Sequence, residues 1–254
     1  MKPILEVRRL TKRFGGLVAV ADLDFIVNEG EILGLIGPNG AGKSTTFNVI
    51  AGTYGADAGE VRFAGEPILS LPPHRIAARG IMRTFQHNRP FGGMRVIDNV
   101  LVGAHTRFFT GLMKLLVGAG AQEEEARRRR AEELVDFVGL AEARDADVGT
   151  LSFGQGRLLE IARALAGEPR LILFDEPAAG LTPAELERLA AIIRGIAARG
   201  IAVLLIEHDM RFLLPLAQRV AVLNFGRKIA DGLPHEIRAH PAVREAYLGD
   251  ATAV

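Results

Sequence analysis

Gly37-Pro38-Asn39-Gly40-Ala41-Gly42-Lys43-Ser44-Thr45 matches the pattern Gly-x-x-x-x-Gly-Lys-Ser/Thr without a departure. A continuous apolar run at 32–36 precedes it, and a segment at 45–51 with helical character, closed by Gly52, follows. Strand, loop and helix in this order are the context that a phosphate-binding loop requires. Its glycines let successive backbone N–H groups face phosphate oxygens, and the helix N-terminus adds partial positive charge. The stretch predicts a nucleoside triphosphate site in an α/β fold.

Within this loop two side chains have the chemistry for specific roles. Lys43 contributes a full positive charge, and the Ser44 hydroxyl can ligate Mg²⁺. The residues that we expect to contact the nucleotide here are Gly37, Pro38, Asn39, Gly40, Ala41, Gly42, Lys43, Ser44 and Thr45.

A second apolar run, at 171–174, ends in Asp175-Glu176-Pro177. Two carboxylates therefore stand at the carboxyl end of a predicted parallel strand, where sheets of this kind bind ligands. We expect Asp175 to be a Mg²⁺ partner, directly or through water. Glu176 is placed to orient or deprotonate the attacking water, which makes it the predicted catalytic residue.

The segment Leu151-Ser152-Phe153-Gly154-Gln155-Gly156-Arg157 predicts a second anion site. Ser152 and Gln155 have the spacing of a capping box, so a helix with free N–H groups begins here. One γ-phosphate does not need two such cradles from a single chain. We therefore interpret the second one as serving a nucleotide held mainly by another subunit.

This segment resembles the signature motif of ATP-binding-cassette (ABC) ATPases, usually Leu-Ser-Gly-Gly-Gln. Phe153 replaces the first glycine, a variant that the resemblance associates with amino-acid importers, whereas Ser152, Gly154 and Gln155 are retained as nucleotide-contacting residues. The resemblance implies ATP and Mg²⁺ as ligands. It also assigns adenine stacking to Phe14.

Two further residues receive catalytic roles from the resemblance. Gln86 matches the glutamine that senses Mg²⁺ and the attacking water, and His208 matches the switch histidine that contacts the γ-phosphate. The implied fold is α/β: a P-loop NTPase core of the ABC ATPase type, with an antiparallel β subdomain and an inserted α-helical subdomain. We expect the RecA-like core and β subdomain over 1–89 and 151–254, and the helical subdomain over 90–150, with the signature motif at its end.

The rest of the chain agrees with this division. Alternation at 5–8 and 23–27 predicts antiparallel strands, and 59–65 an edge strand. No strand pattern is found from 90 to 150. In this stretch Glu123, Glu124 and Glu125 each stand four residues before an arginine of the run 127–130. This spacing allows ion pairs along a helix and favours a solvated helix face. The apolar run at 202–206 predicts another parallel strand. The residues from Thr182 to Glu185 have the pattern of a capping box at the start of a helix. A hairpin turn is predicted at Phe225-Gly226.

The sequence after Glu176 narrows the resemblance. Ala178-Ala179-Gly180-Leu181-Thr182 lacks the aspartate that many ABC ATPases have there, and 175–181 is similar to the ATPases of branched-chain amino-acid importers. Segments 83–87, 206–210 and 246–249 are also similar to the ATPases of these importers. The resemblance implies a paired ATPase, as homo- or heterodimer, peripheral at the cytoplasmic face of the cell membrane. Its implied partners are membrane-spanning permease subunits, for which 91–102 is the expected docking surface, and indirectly a substrate-binding protein.

Composition limits the alternatives. A net charge of +1 gives no reason to expect a nucleic-acid partner, and the absence of cysteine excludes disulfides and thiolate metal sites. The apolar stretch at 108–121 is too short to span a membrane and contains Lys114, and no signal-peptide core is expected at the start. An ABC ATPase for urea or amide import, for lipopolysaccharide export or for a non-transport role remains open, as does a regulator that binds nucleotide without hydrolysing it.

Overall fold

A computed structural model describes residues 2–84, 90–104 and 120–248. The strands are β1 (Pro3–Phe14), β2 (Leu17–Asn28), β3 (Ile32–Ile36), β4 (Ala58–Phe63), β5 (Glu66–Pro67), β6 (Ile81–Arg83), β7 (Leu171–Asp175), β8 (Ala202–Ile206), β9 (Arg219–Asn224) and β10 (Arg227–Gly232). The α-helices are α1 (Lys43–Ile50), α2 (Pro73–Ala78), α3 (Val96–Gly103), α4 (Gly120–Phe137), α5 (Phe153–Ala166), α6 (Pro183–Ala198), α7 (Met210–Leu213), α8 (Pro234–Ala239) and α9 (Pro241–Leu248). None of the helices in these ranges has the length and apolar character needed to cross a membrane.

The central sheet has six strands in the order β10-β9-β3-β8-β7-β6. All neighbours in it are parallel except β10, which forms an antiparallel hairpin with β9. The three continuous apolar runs of the sequence are β3, β7 and β8, and every residue of these strands is buried. Such runs are typical of parallel strands covered on both faces, so the prediction is confirmed.

Alternate residues of the central strands belong to two separate cores. In β3, Ile32 and Ile36 lie in one hydrophobic cluster with apolar residues of α3, α4, α5 and α6. Leu33 and Leu35 lie in the other, with residues of α1 and of the antiparallel strands. This follows from the two-residue period of a strand. The central sheet is therefore a middle layer between a helical layer and a layer containing α1 and the second sheet.

The second sheet is antiparallel, in the order β2-β1-β4-β5. The predicted strands at 5–8 and 23–27 are confirmed as parts of β1 and β2, which pair antiparallel. The expectation that 59–65 is an edge strand is wrong in one respect. Strand β4 lies between β1 and the two-residue strand β5, because the chain turns back after Phe63 and pairs it with Glu66.

The described part of 90–150 consists of α3, α4 and two 3₁₀ turns at Ala141–Ala143 and Val148–Thr150. On α4, Arg127 pairs with Glu123 at 2.7 Å and Arg129 with Glu125 at 3.7 Å, as the spacing predicts, whereas Arg128 pairs forward with Glu132 at 3.4 Å. The arginine run thus lies on a solvated face with its own counter-ions. The domain limits at 90 and 150 stay a prediction.

Local signals fix the ends of several elements. Thr182 caps α6 in a capping box with Glu185, with Pro183 as the first helical residue, as predicted. Between β9 and β10 both central turn residues have positive φ, 45° at Phe225 and 77° at Gly226. Two positive φ values define the type I′ turn that matches the twist of a hairpin. The predicted hairpin turn is therefore confirmed.

Candidate functional site

Three neighbouring strands end beside the phosphate loop. Strand β3 lies next to β8, and β8 lies next to β7. The loop follows β3, Asp175 and Glu176 come at the end of β7, and His208 comes just after β8. Because the strands are parallel, their carboxyl ends meet at one edge of the sheet, which is where open α/β sheets bind ligands. The sheet order thus brings together the residues that were predicted from separate parts of the sequence.

The phosphate loop is held by close backbone packing at two of its glycines. Gly37 and Gly42 have φ values of 151° and 99°, a region that other residues rarely adopt. A Cβ at Gly37 would overlap the Leu223 carbonyl oxygen, and one at Gly42 would overlap the Ala19 carbonyl oxygen. The loop therefore rests on β9 on one side and on β2 on the other. Helix α1 begins at Lys43, two residues earlier than the sequence suggested.

Lys43 is buried and its amine lies inside the loop. The Nζ atom donates hydrogen bonds to the carbonyl oxygens of Gly37 at 2.6 Å and Pro38 at 2.9 Å. Burial lowers the pKa of Lys43, and the negative charges of Glu176 and Asp175 partly offset this effect. The lysine therefore shares an electrostatic environment with both predicted carboxylates. Ser44 is exposed at the start of α1, where its hydroxyl is accessible.

Asp175 forms a buried ion pair that the sequence analysis missed. Arg83, the last residue of β6, donates from Nη2 to Asp175 Oδ2 at 2.7 Å and from Nη1 to Asn48 Oδ1 at 2.7 Å. Asp175 Oδ1 is buried and has no hydrogen-bond partner among the described residues. One oxygen of this carboxylate is therefore held by arginine, and the other is left for a further ligand.

Glu176, His208 and Glu207 form a cluster at the ends of β7 and β8. His208 Nδ1 lies 3.9 Å from Glu176 Oε2 and 3.9 Å from Glu207 Oε2. Glu176 has a φ of 49°, and its N–H donates to the Ile206 carbonyl at 3.0 Å. Glu207 is buried, which raises its pKa to about 7. This glutamate was also missed, because the sequence does not indicate whether the side chain of a residue directly after a buried strand faces inward.

The N-terminus of α5 has the predicted capping box. Ser152 Oγ accepts from the N–H of Gln155 at 3.2 Å, and Gln155 Oε1 accepts from the N–H of Ser152 at 2.9 Å. A Cβ at Gly154 would overlap the carboxylate of Glu185, so α5 and α6 begin side by side. Among the described residues no hydrogen bond joins this helix end to the phosphate loop.

Phe14 stands at the end of β1 and is 44% exposed. Its ring makes an edge-to-face contact with Tyr54, with the ring centroids 5.4 Å apart, and Lys12 Nζ lies 5.2 Å from its centroid. Two partly exposed aromatic rings, one at the end of β1 and one in the turn after α1, therefore stand together. Tyr54 was not predicted, because it follows α1 in the sequence, far from Phe14. Gln86, the remaining predicted site residue, lies outside the described residues.

Comparison with known proteins decides the family. Residues 20–179 match the family model described as ABC transporter. The chain belongs to the ABC transporter family. Residues 227–253 match a second model, described as branched-chain amino acid ATP-binding cassette transporter.

Curated relatives of this ABC protein match it over nearly its whole length. It is 44% identical to the high-affinity branched-chain amino acid transport ATP-binding protein BraF of Pseudomonas aeruginosa, over 98% of this chain and 99% of that protein. It is 40% identical to the corresponding protein LivG of Escherichia coli K12, with the same coverage. The lipopolysaccharide export system ATP-binding protein LptB of Acidithiobacillus ferridurans is 37% identical over 98% of both chains.

Solved structures confirm the predicted ABC ATPase fold. The ATP-binding cassette MJ1267 in its ADP conformation superposes with a TM-score of 0.86 and 34% identity, over 98% of this chain and 100% of that one. A nucleotide-free ATP-binding cassette gives a TM-score of 0.84 at 34% identity, over 96% and 98%. The chain is thus an ABC transporter ATPase in family and fold.

This cassette has a groove that no residue of the phosphate loop lines. It has a volume of about 270 Å³ and runs between β6, α3 and α5. Phe91 and Val102, the first and last residues of the predicted docking segment, line it and are 48% and 36% exposed. Arg163 stands over the Phe91 ring, 5.4 Å from its centroid. The lining residues are Met82, Arg83, Thr84, Phe91, Val102, Gly103, Glu160, Arg163 and Ala164.

Proposed function

We propose that this chain is the ATP-hydrolysing subunit of an importer for branched-chain amino acids. The observation that carries the ATPase part is the meeting of Lys43, Asp175, Glu176 and His208 at the ends of three adjacent parallel strands. A cation, two carboxylates and a histidine at such an edge provide the groups needed to bind a phosphate chain and to activate water.

ATP binding falls to the loop and to Lys43. Backbone N–H groups of the loop and of the first turn of α1 provide fixed donors for phosphate oxygens. Lys43 exchanges its hydrogen bonds to the Gly37 and Pro38 carbonyls for hydrogen bonds to phosphate oxygens. These are stronger because the acceptor is charged as well as the donor. Phe14 and Tyr54 offer aromatic surface for the adenine base.

The site also fits Mg²⁺. Asp175 Oδ1 is buried without a hydrogen-bond partner among the described residues, and the Ser44 hydroxyl is exposed in the loop. Oxygen ligands of this type, few in number, suit Mg²⁺ with bound phosphates. Bound there, Mg²⁺ would neutralise phosphate charge. Gln86 is the third proposed ligand.

For hydrolysis, Glu176 is the proposed base that orients and deprotonates water, and His208 the group that contacts the γ-phosphate. The 3.9 Å between His208 Nδ1 and Glu176 Oε2 keeps these side chains close enough to act on one phosphate and its attacking water. Gln86 is proposed to sense the attacking water.

The α5 N-terminus is proposed to complete the site of a second ATPase subunit. Ser152, Gly154 and Gln155 stand at the N-terminus of α5. The capping box uses the N–H groups of Ser152 and Gln155, so the other donors of the first turn, that of Gly154 among them, are proposed to serve a nucleotide held by another chain. Two chains facing in opposite directions would enclose two ATP molecules. Since the enclosed γ-phosphate makes contacts only in the closed dimer, ATP favours closure and hydrolysis favours opening.

The transport assignment is supported by the relatives. BraF and LivG are named for branched-chain amino acid transport and are 44% and 40% identical, whereas LptB, named for lipopolysaccharide export, is 37% identical. The match at 227–253 to the branched-chain model favours the importer. We propose that the groove at Phe91 and Val102 receives a membrane-spanning permease subunit, with the ATPase peripheral at the cytoplasmic face and a substrate-binding protein as an indirect partner.

Phosphate release from ATP tests the ATPase part. We expect Glu176→Gln to lower turnover by about 100-fold or more, in the range of lost general-base catalysis, with ATP affinity changed little. Glu187→Gln, on the exposed face of α6, is the matched control and should keep full turnover. Normal turnover in Glu176→Gln would exclude this residue as the base. A wild-type rate no higher than that of Lys43→Ala would remove the ATPase proposal.

Co-purification tests the transport part. The tagged chain is recovered from detergent-solubilised membranes of its host, and leucine, isoleucine and valine uptake is measured in host cells that carry only Glu176→Gln. Two hydrophobic permease subunits in the eluate and lost uptake would support the importer. Lipid-export components with normal uptake would favour the role named for LptB.

A further inference from the structure

Glu207 joins the two strand ends that carry the proposed catalytic side chains. It follows β8 directly and is 1% exposed. Its Oε1 accepts a 2.8 Å hydrogen bond from the N–H of Ala178, 29 residues away in the sequence. Ala178 lies two residues after Glu176. The Glu207 side chain therefore connects the turn after β7 to the end of β8.

The turn after β7 needs such support. Glu176 has a φ of 49°, which costs a residue with a side chain about 1–2 kcal/mol. Two hydrogen bonds from this turn reach the end of β8: the Glu176 N–H donates to the Ile206 carbonyl, and the Ala178 N–H donates to Glu207. A strained conformation persists when its surroundings fix it in this way. Of the two bonds, only the second depends on a side chain.

The other oxygen of Glu207 faces His208. Oε2 is buried without a hydrogen-bond partner in the described ranges, and it lies 3.9 Å from His208 Nδ1. Glu176 Oε2 lies at the same distance from that nitrogen. Both distances are too long for a hydrogen bond but within ion-pair range, so both carboxylates act electrostatically on the same imidazole nitrogen.

We propose that Glu207 is a positioning residue of the ATPase site, which fixes the turn bearing Glu176 through Ala178 and orients the His208 imidazole through Oε2. The inference rests on the proposed function. Among the described residues Glu207 forms no hydrogen bond with the phosphate loop, and it approaches the proposed γ-phosphate site only through His208. Its effect is therefore expected on turnover and not on ATP affinity.

A purely structural role fits Glu207 less well than it fits Glu31. Glu31 is also buried, but its Oε1 accepts from Arg219 at 2.9 Å and its Oε2 from the N–H and side-chain amide of Asn28 at 2.7 and 2.8 Å. Its charge is thus paired. No arginine or lysine of the described residues forms an ion pair with Glu207, and burial raises its pKa to about 7. A buried carboxylate of this kind is costly compared with an apolar side chain of similar size.

Two substitutions separate the roles. Glu207→Leu fills the same space but removes the acceptor, whereas Glu207→Gln keeps an oxygen for the Ala178 N–H. In the full-length chain we expect Leu to lower kcat for ATP by about tenfold or more per folded molecule, with KM and the dissociation constant for ATP within about twofold. The Glu207→Gln variant should recover at least half of the decrease in log kcat that Glu207→Leu causes. Urea unfolding, measured on each variant, gives the folded fraction.

Glu31→Gln is the control and should leave kcat unchanged. A Leu variant with kcat within twofold of wild type would overturn the proposal, as would a Gln variant as slow as the Leu variant. Wild type and Glu176→Gln are assayed first. If wild type shows no turnover, or Glu176→Gln is as fast as wild type, then the proposed function or its base has failed. A slow Glu176→Gln with a fast Glu207→Leu contradicts the Glu207 inference alone.

Discussion

The guanidinium of Arg83 and the carboxylate of Asp175 form an ion pair with an N–O distance of 2.7 Å, and their side chains are only 15% and 3% exposed. The pair joins the last residues of the adjacent strands β6 and β7. Through its second nitrogen Arg83 also reaches Asn48 on α1. The arginine thus connects the proposed Mg²⁺ ligand to the helix that begins at the phosphate loop.

Replacing Arg83 by leucine should therefore destabilise the protein. The change leaves the carboxylate of Asp175 buried without its cation, and breaking one side of a buried pair costs about 3–5 kcal/mol. Urea unfolding in the absence of nucleotide measures this loss. In the double variant Arg83→Leu/Asp175→Asn part of the stability should return, because the unpaired charge is gone.

Arg8→Leu is the comparison for this prediction. Arg8 pairs with Glu6 at 2.6 Å, but its side chain is 61% exposed. Exposed pairs contribute about 1 kcal/mol or less. Equal losses for the Arg8 and Arg83 variants would mean that burial of Asp175 does not determine the cost.

Gly40 and Gly42 of the phosphate loop differ in how closely neighbouring backbone approaches them. Gly40 and Gly42 have positive φ values of 78° and 99°, but only Gly42 faces a neighbouring backbone atom, the Ala19 carbonyl oxygen. We expect Gly40→Ala to lower the unfolding free energy by about 1–2 kcal/mol, the cost of the left-handed conformation. Gly42→Ala should lose clearly more, because the loop must also move away from β2. Thermal unfolding of both variants without nucleotide makes the comparison, and equal losses would contradict the close approach.

The features predicted correctly from sequence are those that short segments encode. Strands β3, β7 and β8 are buried on both faces, so they are apolar along their length except for Asp175 at the end of β7. The capping boxes at Ser152 and Thr182 each need only four residues. The loop after β3 has its own glycine pattern. The relative placement of these motifs followed from the family resemblance and not from local signals.

The features that were missed depend on strand order. Strand β6 has three residues, too few for a periodic signal, and it becomes recognisable only through its pairing with β7. Arg83 and Glu207 acquire their partners 92 and 29 residues away because β6, β7 and β8 are neighbours. The edge assignment of β4 failed for a similar reason, since its second partner is only two residues long.

Glu207 should make stability depend on pH in a definite direction. Burial raises its pKa from 4.5 to about 7, so the folded state binds a proton that the unfolded state releases between these values. Its contribution is fully present below pH 4.5 and is lost as pH rises through about 7. The full loss is about 3 kcal/mol. Urea unfolding of wild type and Glu207→Gln from pH 4.5 to 8 measures the effect as the difference between the two curves.

The difference isolates Glu207 because glutamine does not titrate at this position. Titration of all other groups contributes to both proteins and cancels to first order. Wild type should lose stability relative to Glu207→Gln as pH increases. A constant difference, or one of opposite sign, would show that the carboxylate has an ordinary pKa in the folded state.

The groove between β6, α3 and α5 should be required for coupling ATP hydrolysis to transport through the permease, but not for ATP binding. Phe91 and Val102 line it and are partly exposed, whereas Lys43 and the phosphate loop do not contribute to it. A carboxylate placed at either position would have to be desolvated beneath an apolar partner surface, which costs several kcal/mol per ion. We expect Phe91→Glu and Val102→Glu to reduce co-purification of the permease and amino-acid uptake by tenfold or more, with nucleotide affinity unchanged.

Leu17→Glu is the matched control for these two variants. Leu17 is 67% exposed, more than Phe91 or Val102, and lies on the hairpin between β1 and β2 instead of the groove. If general surface charge were the cause, this variant would lose the permease as well. Retained permease binding in Leu17→Glu, together with loss in the two groove variants, would assign the effect to the groove. Normal uptake in Phe91→Glu and Val102→Glu would move the docking site elsewhere on the cassette, because a buried charge at the contact could not be tolerated without effect.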